Sequence, residues 1–151
     1  LSLSADVGSP SAPASPFVAD LRASMTVDVD EVDMVREQTP TRVFDSRGAE
    51  GYHGLGKYFD PVKGHIKGAG LADRAMTIDE SGRFRSPDEL RAHFSSLIED
   101  QDGSDIVFYC GSGVTAAQNV LAMEHAGLPG ARMYVGSWSE WIIDPAHEVE
   151  L

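Results

Sequence analysis

Cys110 is the only cysteine in the 151 residues, and its neighbours decide what a single thiol can do. Ile106-Val107-Phe108-Tyr109 is a continuous apolar run that predicts a strand buried on both faces. Cys110-Gly111-Ser112-Gly113 follows at once. From Val114 the pattern turns helical, with Val114, Ala117, Val120, Leu121 and Met123 as apolar positions and Gly127 placed to end the helix. A cysteine between a strand end and a helix start faces the unpaired N–H groups of residues 111 to 115, and two glycines let that backbone curl around the sulfur. The amides and the helix dipole stabilise an anion there, so the Cys110 thiolate is favoured. The same cradle suits a persulfide or the oxygens of an oxyanion. A lone cysteine is often just a buried small hydrophobe, but the strand–Cys–Gly-x-Gly–helix context argues for chemistry. A cysteine phosphatase loop would need an arginine where this chain has Ala116; no arginine lies between Cys110 and Arg132, so the bidentate grip on phosphate is missing. Ser112 either hydrogen-bonds a ligand or moves a proton, or else caps the helix. Thr115 is expected to stabilise the helix's first turn.

The elements that must position this loop are legible along the chain. Met25, Val27 and Val29 alternate with polar residues as in a short strand, and Asp30 heads an acidic segment that reads as a helix start. That helix should end before Pro40. Arg42-Val43-Phe44-Asp45 reads as a strand ending in a carboxylate, and the glycine-rich stretch Gly48 to Gly70 as a long loop. Ser86-Pro87-Asp88-Glu89 carries the signature of a capping box, with Leu90, Phe94, Leu97 and Ile98 at helical spacing behind it. Arg132 to Val135 is another strand, followed by Gly136-Ser137-Trp138-Ser139-Glu140-Trp141. Strands alternating with helices imply an α/β fold built on a central parallel β-sheet flanked by helices.

Composition bounds the rest. The chain is long enough for one domain, and 42% apolar with 24% charged residues is ordinary for a globular one. Twenty-four acidic against twelve basic side chains give a net charge of −12, which argues against binding to nucleic acid or an anionic membrane surface. No run of about 18 apolar residues suggests a membrane span. A single thiol and five histidines without ligand spacing suggest neither a metal site nor a cofactor. Residues 1–16, rich in Ser, Ala and Pro, read as a linker or extended lead-in, and residues 17–151 as the folded domain. The expected compartment is the cytoplasm.

Four segments together resemble the rhodanese superfamily, and within it the catalytic domain of 3-mercaptopyruvate and thiosulfate sulfurtransferases. Cys110 to Thr115, CGSGVT, is similar to the active-site loop. Val43 to Arg47, VFDSR, resembles an Asp-x-Arg strand end; Gly64 to Ala69, GHIKGA, a Gly-His-Ile-x-Gly-Ala turn; and Tyr134 to Trp141, YVGSWSEW, the segment after the last strand. All four occur in family order.

The resemblance implies a mechanism. Cys110 takes the outer sulfur of a small donor as a persulfide, held by Gly111, Ser112, Gly113, Val114 and Thr115, and passes it to a thiol or cyanide. Asp45, Arg47 and Trp138 then act as supporting residues, with Asp45 and Arg47 as an ion pair. The uncharged loop leans toward mercaptopyruvate over thiosulfate. Family members that use mercaptopyruvate carry two donor-binding arginines; the first position falls on Gly51 here, and none lies near Tyr58 to Pro61. His53, Lys57 and Lys63 lie in the same loop and are the expected partial substitutes. Similar enzymes have two such domains, which makes a preceding rhodanese-like domain an expected partner. The rival readings are a sulfur-carrier module that receives persulfide from a partner protein, and a redox sensor using the activated thiol.

Overall fold

The computed structural model describes residues 16, 18, 20, 22–40, 42–55 and 60–151. The lead-in at 1–15 and Lys57 therefore lie outside the described residues. Five short strands form one parallel sheet: β1 (Thr26–Val27), β2 (Val43–Asp45), β4 (Gly70–Leu71), β5 (Val107–Tyr109) and β6 (Arg132–Tyr134), in spatial order β1-β6-β5-β2-β4. β3 (His65–Ile66) pairs antiparallel with β7 (Val149–Glu150) in a separate two-stranded ribbon. The helices are α1 (Val29–Val35), α2 (Ala49–Tyr52), α3 (Pro87–Ile98), α4 (Ala116–His125) and α5 (Ser137–Trp141).

The period-2 alternation of the central strands divides the core. Phe44 of β2 and Phe108 of β5 face α3 and α4, where they pack with Leu90, Phe94, Ile98, Val120 and Met123. The Phe108 ring lies 6.2 Å from Phe44 and 6.1 Å from Phe94, centroid to centroid. Val43, Val107 and Tyr109 face the other way, onto Val32, Ile66, Trp138 and Trp141. Both faces of β5 are thus covered, which is why its sequence is apolar without interruption. Burying one such aromatic contributes about 1.5–3 kcal/mol. Cys110 is the next residue in the alternation, and it falls on the α4 side.

Local signals account for most boundaries. The capping box of α3 is complete: the Glu89 N–H donates to Ser86 Oγ (3.4 Å), and the Ser86 N–H donates back to Glu89 Oε2 (3.0 Å). Gly127, at φ +70°, ends α4 in the left-handed conformation. Three expectations are corrected. α1 is capped by Asp28, not Asp30: Asp28 is extended and accepts the Glu31 N–H at 3.0 Å, so Val29 is already helical. The stretch 48–70 is not one loop, since it holds α2 and β3 and reaches the start of β4. α4 starts at Ala116 instead of Val114, because Gly113 at φ +81° breaks the backbone before it. Of the expected apolar positions, Val114, Ala117 and Leu121 are exposed, while Asn119 faces the core.

Candidate active site

Parallel strands bring their carboxyl ends to one edge, and Cys110 follows β5 at the middle of it. The cysteine is held from the side by the segment that follows β6. The Cys110 N–H donates to Ser137 Oγ (3.1 Å), the Ser137 hydroxyl donates to the Tyr134 carbonyl (2.9 Å), and the Cys110 carbonyl accepts the Trp138 N–H (3.0 Å). Gly111 is fixed next: its carbonyl accepts both the N–H (2.9 Å) and the hydroxyl (2.7 Å) of Ser139. Ser137 is fully buried and sits at φ +55°, a left-handed conformation that costs a non-glycine residue about 1–2 kcal/mol. Gly113 meets a tighter constraint, since a Cβ there would lie 2.4 Å from the Val135 carbonyl oxygen.

Cys110 is 1% exposed and has no disulfide partner. Burial works against its ionisation, but the Thr115 hydroxyl and the backbone N–H groups of Ala116, Ser112 and Thr115 donate to it, and together they hold the thiol below its ordinary pKa. Thr115 is the first turn's N-cap residue by position, yet its side chain makes no cap hydrogen bond. Its hydroxyl donates to the sulfur, where the expectation was that Thr115 stabilises the first turn. Residues 111–115 form the turn segment between Cys110 and α4, and of these Ser112 and Thr115 donate to the sulfur. Ser112 and Val114 are exposed at its rim.

Asp45 and Arg47 form the buried buttress beside it. The Arg47 Nε contacts both Asp45 oxygens (2.9 and 3.1 Å), Nη2 adds a contact to Oδ2 (2.6 Å), and the Arg47 backbone N–H donates to Oδ1 (2.9 Å). Nη2 also donates to the Gly64 carbonyl (2.7 Å). The guanidinium lies over the Trp138 ring, 4.9 Å from its centroid. Asp45 is wholly buried and the Arg47 side chain 13% exposed. Tyr109 joins the cluster by accepting the Ile66 N–H at 3.0 Å, and burial, then Asp45, pushes its phenol well above its usual range. Arg47 is therefore spent on locking the end of β2 to the turn before β3 and to Trp138.

Two of the glycine-rich loop's candidate basic residues are described. His53 is the exposed C-cap of α2, and Lys63 is exposed beside Gly54. His65 is buried and structural: its Nδ1 is 2.9 Å from the Tyr52 carbonyl, and its ring stacks on Tyr52 at 3.6 Å. The residue that sequence reasoning missed is Ser137. Its only advance signal was its place, directly after the strand neighbouring β5. Among the described residues no group of His, Cys, Asp and Glu could hold a metal ion, and no helix is long and apolar enough to cross a membrane.

A cysteine at the carboxyl end of a central parallel strand, with loop amides around its sulfur and an Asp-x-Arg buttress, defines a class of α/β thiol site. This chain belongs to the rhodanese-like domain family, which matches residues 28–144. It is similar to a probable 3-mercaptopyruvate sulfurtransferase of Pseudomonas aeruginosa, with 39% identity over 127 residues that cover 84% of this chain and 45% of that protein. It is also similar to the thiosulfate sulfurtransferase of Rattus norvegicus, 33% identical over 128 residues, 83% of this chain and 43% of the relative. Among solved structures, the 3-mercaptopyruvate sulfurtransferase from Leishmania major superposes with a TM-score of 0.69 at 31% identity, over 90% of this chain and 38% of the other. The chain thus spans about half the length, or less, of the relatives it matches.

Proposed function

We propose that the chain is the persulfide-forming unit of a sulfurtransferase acting on 3-mercaptopyruvate or thiosulfate. The observation that carries this reading is the Cys110 sulfur enclosed by three backbone N–H groups and the Thr115 hydroxyl. The Cys110 thiolate attacks the donor's outer sulfur and forms an S–S bond. The donor's bond to that sulfur breaks: a C–S bond in mercaptopyruvate, whose carbon keeps the electron pair and takes a proton to give pyruvate, or an S–S bond in thiosulfate, with sulfite leaving on its pair. The persulfide's charge then rests in the same cradle. A thiolate or cyanide attacks the outer sulfur, and the Cys110 thiolate leaves. Ser112, on the rim, is placed to meet the donor or its leaving group. His53, Lys57 and Lys63 are proposed contributors of positive charge to donor binding. The exposed Val114, an apolar residue on the rim of a buried nucleophile, suits a preceding rhodanese-like domain as the cover of the site.

Steady-state thiocyanate production from each donor, with Cys110→Ser as the control, tests the reading. Turnover that depends on Cys110 and on either donor supports it. A chain that produces no thiocyanate, yet accepts sulfur from a persulfidated protein, is a carrier instead.

A further inference from the structure

An anionic donor must reach a chain whose net charge is −12, which gives weight to any cation at the edge that holds Cys110. The three residues after each strand of the parallel sheet form the edge where Cys110 sits. They read Asp28-Val29-Asp30 after β1, Val135-Gly136-Ser137 after β6, Cys110-Gly111-Ser112 after β5, Ser46-Arg47-Gly48 after β2 and Ala72-Asp73-Arg74 after β4. Two of these fifteen are cationic. Arg47 is already committed to Asp45, Gly64 and Trp138. Arg74 is exposed, and its guanidinium meets no carboxylate among the described residues.

The backbone of Arg74 is tied to the same helix turn that holds the sulfur. Its N–H donates to the Ser46 carbonyl (3.4 Å), and the Ser46 N–H donates to the carbonyl of Tyr109, the residue before Cys110 (2.7 Å). Its carbonyl accepts Gln118 Nε2 (2.9 Å), an amide that also donates to Thr77 Oγ1 (2.8 Å). The adjacent Asn119 is fully buried and ties the same turn to Ser46 Oγ (3.0 Å) and the Ala72 carbonyl (2.7 Å). Gln118 and Asn119 lie directly after Ala116 and Ala117, at the start of α4, so Arg74 and the N–H groups around the sulfur belong to one hydrogen-bonded block. Arg74 follows β4, which lies two strands, roughly 10 Å, from β5, and by the register Ala72, two residues before Arg74, is level with Cys110. A small donor and a long arginine side chain together bridge that gap. Asp73 precedes Arg74, but one of its oxygens is engaged by the Ala75 N–H at 2.9 Å.

We propose that Arg74 is the donor-binding residue of this site: its guanidinium takes the carboxylate or sulfonate oxygens of the donor while Cys110 attacks the sulfur. The assignment rests on the sulfurtransfer reading and replaces, from a different strand end, the arginine absent at Gly51. A fork of N–H donors suits both oxygen groups, and a lysine would supply charge without the fork.

Two readouts on the 151-residue chain test it, using Arg74→Ala, Arg74→Lys and, as a surface control, Arg83→Ala. In the first, persulfide loading of Cys110 is followed against the concentration of mercaptopyruvate and, separately, of thiosulfate. Arg74→Ala should raise the half-saturating concentration roughly ten- to hundred-fold, the loss of one charge-assisted contact. Arg74→Lys should fall between, Arg83→Ala should match the wild type, and discharge of the loaded cysteine by cyanide should be unchanged. An effect with one donor alone identifies the oxygen group that Arg74 receives. The second readout needs no sulfur donor: the ratio of Cys110 alkylation rates by anionic iodoacetate and neutral iodoacetamide should drop in Arg74→Ala and recover when guanidinium ion is added. Wild-type loading with neither donor overturns the sulfurtransfer reading and the donor role with it. Normal wild-type loading, with an Arg74→Ala variant unchanged in both readouts, overturns the Arg74 assignment alone.

Discussion

Ser137 holds the cysteine loop through a conformation that serine does not favour, and this allows two substitutions to be set against each other. Ser137→Ala leaves the buried Cys110 N–H without its 3.1 Å acceptor and the Tyr134 carbonyl without its 2.9 Å donor. A buried orphaned donor costs about 1–3 kcal/mol and the second lost bond about 1 kcal/mol, so the variant should lose roughly 2–4 kcal/mol of stability. Ser137→Gly loses the same bonds but relieves the φ of +55°, a return of about 1 kcal/mol. Glycine should therefore be the milder change, although it is the smaller residue. Urea unfolding of the two variants measures the difference. Both should also alkylate more slowly at Cys110 near neutral pH, because one of the bonds that clamp the loop backbone to α5 is gone. The reasoning is refuted if Ser137→Ala is within about 0.5 kcal/mol of the wild type, or if glycine is the more damaging of the two.

Three further outcomes follow from the same geometry. Thr115→Val removes a hydroxyl donor to the sulfur while burial remains, so the iodoacetamide rate profile of Cys110 should move to higher pH; Thr115→Ser should leave it nearly in place. Arg47→Met leaves the Asp45 carboxylate buried and unpaired, and should cost about 3–5 kcal/mol in urea unfolding. Glu89 is held below its usual carboxylate pKa by hydrogen bonds from the Ser86 hydroxyl and backbone. Its stabilisation is therefore present above the unfolded-state pKa and lost as pH falls through the lower folded value, so Glu89→Gln should flatten the acid limb of the stability curve.

The motif-bearing parts of the fold were readable because their causes are local. The capping box of α3, the glycine after α4, and the apolar run of β5 each follow from neighbouring residues, and the structure has all three. The order of strands across the sheet was not readable, because it depends on crossovers between distant segments. Asn119 shows a second limit. A polar residue on a helix reads as solvent-facing, yet this one is buried because Ser46 and Ala72, more than forty residues earlier, accept its amide hydrogens. Ser137 shows a third, since nothing in its type announces a left-handed backbone or a bond to Cys110. At the site, Cys110 and its loop were legible from the strand–glycine–helix pattern. The Asp45–Arg47 pair is legible only through the family resemblance, and the expectation that Thr115 stabilises the first turn of α4 misses its hydroxyl's bond to the sulfur, because only coordinates show which way it turns.

The central claim is that the Cys110 sulfur accepts and holds a sulfane sulfur. Intact mass measurement after incubation with mercaptopyruvate or thiosulfate tests it most directly. The account predicts a gain of one sulfur atom, located at Cys110 by peptide mapping, removed by cyanide and absent in Cys110→Ser. A wild-type chain whose mass is unchanged by both donors, while its cysteine still reacts with iodoacetamide, would contradict it.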